Sequence, residues 1–264
     1  MASKKLIYQV DAFTTEPFRG NPAGVCILEK QMPADWMQKI AAEMNLSETA
    51  FLIPGEEVIP IRYFTPEAEV ELCGHATLSA GHILFQEKIT GDEIIFSSKA
   101  GNLKVTHDGR WIKMNFPLFP VRQIKIPDDI EKITGIRPVE MYGSSYDWIL
   151  ALFNSENEVR NLKPDFERMK RSRFGHLIIT APSSETNFDF VVRCFAPSIG
   201  INEDPVTGSA HCTLVPFWNM KTGRNDFVSC QVSERGGVLK VSLAGERVEI
   251  SGQAKTIFKG RLLV

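Results

Sequence analysis

No stretch of this sequence approaches the roughly 20 consecutive apolar residues that a membrane helix needs. The start, Met1 to Phe13, has two lysines but no signal-like apolar run before Asp11. The five cysteines (Cys26, Cys73, Cys194, Cys212 and Cys230) are odd in number, scattered and without a CxxC pair, which argues against a disulfide framework. A formal net charge of -2 leaves no electrostatic footprint for nucleic acid. The most basic stretch, Arg168 to Arg173, is brief and reads as a solvated helix face. There is no HExxH and no histidine cluster, and "CGH" and "HC" are too sparse for a metal site. Neither GxxxxGK[ST] nor GxGxxG occurs, so no nucleotide or flavin is expected.

What is present is ordinary for a globular chain: 264 residues, 43% hydrophobic and 23% charged. That composition buries a substantial core in one large domain or two of usual size. The expectation is a cytoplasmic chain with reduced thiols, no metal and no cofactor, acting on neither membranes nor nucleic acid.

Leu6, Tyr8 and Val10 fall at strand spacing, and Ala23 to Leu28 is a short apolar run; both read as strands separated by a turn-rich loop. Pro33 opens a helix whose Trp36, Met37, Ile40, Ala41 and Met44 share one face, with Asn45 as its stop. A loop then leads into the strand "AFLI", Ile59 to Phe64 is another strand, and His75 to Glu87 reads as helical.

The second half echoes the first. Arg62, Phe64, Pro66 and Val70 match Arg193, Phe195, Pro197 and Ile201 at one offset (193 − 62 = 131), and Gly74-His75-Ala76 matches Gly208-Ser209-Ala210 (208 − 74 = 134). A weaker match sets "SETAFLIP" against "GHLIITAP". An ordered set with a common continuation points to an internal duplication, hence two similar α+β lobes. The prolines of "NFPLFPVRQIKIPDD" suggest a division into residues 1–120 and 121–264, with exchange of a strand between lobes allowed for. A cleft where such lobes meet is the expected place for a ligand.

Both G-x-A segments put a glycine ahead of a helix. Glycine permits close approach of a ligand, and the first turn offers free N–H groups and partial positive charge to a carboxylate. The plain alternative is that Thr207 or Ser209 merely caps a structural helix. Glu48, between a helix and the apolar "AFLI", reads either as an exposed glutamate or as a desolvated carboxyl with a raised pKa, able to take and return a proton. His75 could donate to a substrate, and Asp204 could orient an amine or hydroxyl. Cys73 is either a small buried hydrophobe or a thiol base; its counterpart at the same offset, Thr207 (73 + 134), provides no paired thiol.

The stretches "DAFTTEPFRGNPAGV", "MNLSETAFL", "RYFTPEAEVELCGHATL" and "EDPVTGSAH", in that order from Asp11 to His211, resemble the PhzF-like phenazine-biosynthesis family. The resemblance implies a diaminopimelate epimerase-like α+β fold of two pseudo-symmetric lobes, each a β-sheet wrapped around a central helix. It implies cofactor-free isomerase chemistry on a small carboxylic acid, with a homodimer compatible. On matching positions, Glu48 looks like the general acid/base, His75 and Asp204 like substrate-positioning groups, and Ser209 like a carboxylate contact. Gly74 and Gly208 would line the substrate with backbone. The alternatives are a non-catalytic member binding a metabolite or protein through the same cleft, and a racemase using Cys73. The missing second thiol argues against the racemase.

Overall fold

A computed structural model describes residues 5–145 and 148–264. They form two compact units: one runs up to Asn115 and takes in Ser251–Val264, the other is Phe116–Ile250. In the first unit lie β1 (Leu6–Ala12), β2 (Asn21–Ile27), α1 (Ala34–Met44), β3 (Glu48–Leu52), β4 (Val58–Phe64) and β5 (Glu69–Val70). They are followed by α2 (Gly74–Gln86), β6 (Glu93–Ser98), β7 (Gly101–Asp108) and β8 (Trp111–Pro117). The second unit holds β9 (Val121–Ile124), α3 (Ile130–Thr134), β10 (Glu140–Ser144), β11 (Ile149–Leu152), α4 (Glu156–Asn161) and α5 (Phe166–Lys170). After these come β12 (Leu177–Pro182), β13 (Phe190–Ala196), β14 (Ile201–Asp204), α6 (His211–Thr222), β15 (Asp226–Gln231), β16 (Gly237–Ala244) and β17 (Arg247–Gly252). The last strand, β18 (Ala254–Arg261), lies antiparallel on β1, which places the chain's end in the first unit.

The duplication is visible strand by strand. Antiparallel β1–β2, parallel β2–β3, antiparallel β3–β4 and β4–β5, parallel β4–β6 and antiparallel β6–β7 make up the first unit. The pairings β10–β11, β11–β12, β12–β13, β13–β14, β13–β15 and β15–β16 repeat them in the same order and sense. Even the flanking strand recurs, with β18 on β1 and β9 on β10. Phe51 pairs with Arg62 and Ile179 with Arg193. That register fixes the offset in the preceding strands at 128 (179 − 51), so Glu48 corresponds to His176 (48 + 128).

Each unit is built around one buried helix. In α2, residues His75 to Gly81 are buried without a break, against β1, β2, β3, β7 and β18. A helix apolar on all sides is a core element rather than a surface one. In α6, seven of the residues from His211 to Trp218 are buried in the same way. The amphipathic α1 instead buries Met37, Ile40 and Ala41 against Phe51 and Phe64, each large side chain contributing about 1.5–3 kcal/mol. Pro33 caps this helix, and Asn45 ends it in the left-handed region (φ 48°), its N–H donating to the Ala41 carbonyl. Among the described residues no helix is long and apolar enough to cross a membrane.

The β1–β2 connection ends on Gly20 (φ +66°), where a Cβ would overlap the Ala12 carbonyl oxygen. Only glycine combines that backbone with that contact. Gly20→Ala is therefore expected to lower unfolding free energy by at least about 2 kcal/mol in urea titrations. A change within error would show that the loop can rearrange around the added carbon.

Candidate active site

Glu48 opens β3, three residues beyond the left-handed Asn45, and pairs with Ala23 of β2. His75 and Cys73 ride the N-terminal turn of α2. The sheet and this helix end bring the three together. His75 Nε2 lies 3.1 Å from Glu48 Oε2, and Cys73 Sγ lies 3.4 Å from His75 Nδ1 and 3.9 Å from Nε2. The side chains of Glu48 and His75 retain 15% and 8% exposure, so the pair is largely desolvated without being sealed. Oε2 is buried yet makes no well-directed hydrogen bond; its partnership with His75 is an ion pair.

Burial alone would raise the Glu48 pKa, as the sequence suggests. The opposite happens: the His75 charge, with the polar His75 and Cys73 side chains close by, outweighs desolvation and holds the carboxyl below its ordinary value. Burial pulls His75 down, but Cys73 and Glu48 lift it well above the usual imidazole value. Cys73 is raised by burial and by the Glu48 charge. The carboxylate form of Glu48 and the protonated form of His75 thus favour each other.

Hydrogen bonds behind the helix keep this turn in place. Thr77 Oγ1 donates to the Cys73 carbonyl at 2.7 Å and is joined by the Tyr63 hydroxyl at 2.6 Å. The second unit has the same device with different residues. His211 (77 + 134) reaches the Thr207 carbonyl from Nδ1 at 3.0 Å and Ser229 Oγ from Nε2 at 2.8 Å. A carbonyl only accepts, so Nδ1 carries the proton and Nε2 accepts from Ser229. Burial lowers the His211 pKa to about 4, consistent with that neutral ring.

Asp204 ends β14, and Gly208 and Ser209 follow on the segment that leads to α6. Thr207 Oγ1 donates to Asp204 Oδ2, Gln231 Nε2 donates to the Asp204 carbonyl at 2.7 Å, and the Thr207 N–H donates to Gln231 Oε1 at 2.9 Å. Gly208 is buried and Ser209 half-buried. The sequence sets the helix opening at Gly208; it opens at His211 instead, with Gly208 to Ala210 in a turn. Successive i to i+3 bonds from His211, Cys212 and Thr213 make that entry tighter than an α-helix. Gly74, by contrast, is the first residue of α2, as its motif suggests.

Sequence reasoning missed Gln231, Thr77 and His211 because their hydrogen bonds are tertiary or buried. It also missed the partners of the repeated arginines. Arg62 makes a two-pronged contact with Glu69 at 2.7 and 2.8 Å, and Arg193 does the same with Glu203 at 2.7 and 2.8 Å. Extending the 134 offset to Glu69 (69 + 134 = 203) would have found them. The pairing is local to each lobe and fixes β4 to β5 and β13 to β14, the strands that lead into Cys73 and Thr207.

A family model described as phenazine biosynthesis-like protein, PhzC-PhzF, matches residues 10–260. The chain is 43% identical to an uncharacterized isomerase of Halalkalibacterium halodurans over 98% of both chains. Its structure matches the crystal structure of a PhzF-family phenazine biosynthesis protein of Enterococcus faecalis with a TM-score of 0.94 and 38% identity, covering 99% of this chain and 100% of that one. At 20% identity, a predicted epimerase of Pseudomonas aeruginosa shares the fold alone, with a TM-score of 0.72 over 98% of this chain and 99% of that one. The architecture is the α+β fold of the diaminopimelate epimerase type. The chain belongs to the phenazine biosynthesis-like PhzC-PhzF family, and its enzyme class is isomerase.

Proposed function

We propose that the protein is a cofactor-independent isomerase in which Glu48 takes a proton from one carbon of a small carboxylic acid and returns it to another. The observation that carries this reading is the buried Glu48–His75 ion pair at 3.1 Å. An ionised carboxylate in a poorly solvated place is ready to accept a proton, and the imidazolium beside it offsets negative charge developing on the substrate. Taking the proton leaves a neutral Glu48 acid and a delocalised carbanion; returning it at a second carbon restores the carboxylate. No redox change occurs.

A one-base course is favoured over inversion by two bases. Bases on opposite faces of a carbon, each at about 3 Å reach, stand about 6 Å apart. The ligand atoms of Glu48, Cys73 and His75 lie within 4.8 Å of one another, too close for a carbon to sit between two of them. The register sets His176, Thr207 and Ser209 against Glu48, Cys73 and His75, so the repeat contains neither a second glutamate nor a second thiol at these positions. In this reading Asp204 and Ser209 hold the substrate's polar groups and Gly74 and Gly208 supply backbone contacts, as the family motifs imply.

Two measurements test the proposal on a panel of small cyclic and unsaturated carboxylic acids. Product formation and deuterium uptake in D₂O, followed by NMR and mass spectrometry, are expected for at least one member. Binding without turnover or exchange across the panel would favour a non-catalytic role. With a substrate in hand, kcat/KM should be level across neutral pH. It falls on the acid side only below the ordinary carboxylate range, where Glu48 protonates, and on the alkaline side only above the ordinary imidazole range, where His75 loses its proton. An acid limb above the usual glutamate value would remove the ion pair from the mechanism.

A further inference from the structure

We propose that Glu48, Cys73 and His75 form a binding site for a zinc-class divalent cation, and that the ion inhibits the enzyme by occupying the proton-transfer carboxylate. Carboxylate oxygen, thiolate sulfur and imidazole nitrogen are the donor types zinc prefers. Among the described residues this is the one group of three such donors drawn together. It goes beyond local motif, because Glu48 stands 25 residues before Cys73 and is supplied by another element.

The geometry is close to that of a tetrahedral ion. Zinc bonds of about 2.0–2.3 Å put neighbouring donors about 3.3–3.6 Å apart. Here Nε2 is 3.1 Å from Oε2 and 3.9 Å from Sγ, and the three donors lie within 4.8 Å of one another, so side-chain rotations draw the set onto one ion. Oε2, buried and lacking a directed hydrogen bond, has a lone pair available to a cation. Three protein donors leave a fourth position for water, as in open zinc sites.

The ion exchanges for protons and needs no oxidant. Zn²⁺ displaces the thiol proton of Cys73 and the proton shared by His75 and Glu48, releasing two protons and leaving thiolate, neutral imidazole and carboxylate as ligands. The complex is neutral overall, and the carboxylate in it can no longer take a proton from a substrate. Inhibition therefore rests on the role proposed above for Glu48; binding does not.

The test is equilibrium dialysis of the full chain against zinc chloride, with cobalt(II) as a spectroscopic stand-in. One ion per chain is expected, with a sulfur-to-cobalt charge-transfer band. Cys73→Ala and Cys73→Ser should both remove the band and weaken zinc binding by at least about 10–100-fold, the loss incurred even when a residue that merely supports a ligand is removed. Using two variants guards against one that fails to fold, and Cys230→Ser should bind like wild type. No stoichiometric zinc in the wild type, or equal binding in a folded Cys73 variant, overturns the site. Turnover unaffected by a bound ion overturns its inhibitory role and leaves the binding result standing. Failure of Glu48 as a proton carrier would show separately, in metal-free enzyme.

Discussion

Glu48→Gln is expected to lower kcat/KM by about 10²–10⁴-fold, the range a positioned acid/base contributes. The substitution keeps size and shape but removes the charge that holds His75 protonated, so its imidazole should titrate closer to the ordinary value by NMR. Glu48→Asp retains the charge but withdraws it by a methylene; it should restore the His75 titration more fully than it restores turnover. Urea denaturation of both variants checks that the fold persists. Wild-type-like turnover by a folded Glu48→Gln would sink the proton-carrier role. Loss of turnover with unchanged His75 titration would separate catalysis from the ion pair.

Arg193→Ala is expected to destabilise the protein by about 3–5 kcal/mol, the range for breaking a buried ion pair from one side. Its side chain is 11% exposed. Besides holding Glu203, its Nη1 donates to the Val159, Arg160 and Leu162 carbonyls at 3.0, 3.4 and 2.7 Å, which close the C-terminal end of α4. Removing the guanidinium leaves a half-buried carboxylate and helix-end carbonyls without their donor. Arg193→Lys should not repair this, because an ammonium cannot reproduce the planar fork. Arg62, in the equivalent place, is more exposed at 27%, and its partner Glu69 keeps Lys99 at 2.7 Å. Arg62→Ala should therefore cost less, about 1–3 kcal/mol. Equal losses in urea titrations would mean that the α4 carbonyl contacts contribute nothing.

The comparison of these two arginines shows how much a repeat in sequence can and cannot say. R-x-F-x-P marks both positions, and the two guanidiniums do make the same carboxylate contact and the same approach to a phenyl ring, at 5.1 and 5.0 Å. Their surroundings differ because α4 packs on β13 and ends on Arg193, a difference that no spacing within the motif encodes. The same holds for the two G-x-A segments. Gly74 starts α2 directly, whereas the Thr207 side chain and N–H engage Asp204 and Gln231, and α6 begins three residues after Gly208.

By itself the sequence determined the strand and helix periods, the Asn45 stop, the α+β duplication and the family motifs. These depend on residues near one another in the chain, where side-chain direction follows from backbone geometry. Tertiary structure alone decided that Glu48 meets His75 across 27 residues (75 − 48), that Cys73 joins them, and that β18 returns to β1. It also decided the sign of the Glu48 shift. Desolvation is foreseeable from apolar neighbours in the chain, but the opposing Coulomb attraction depends on the distance to a charge brought there by folding.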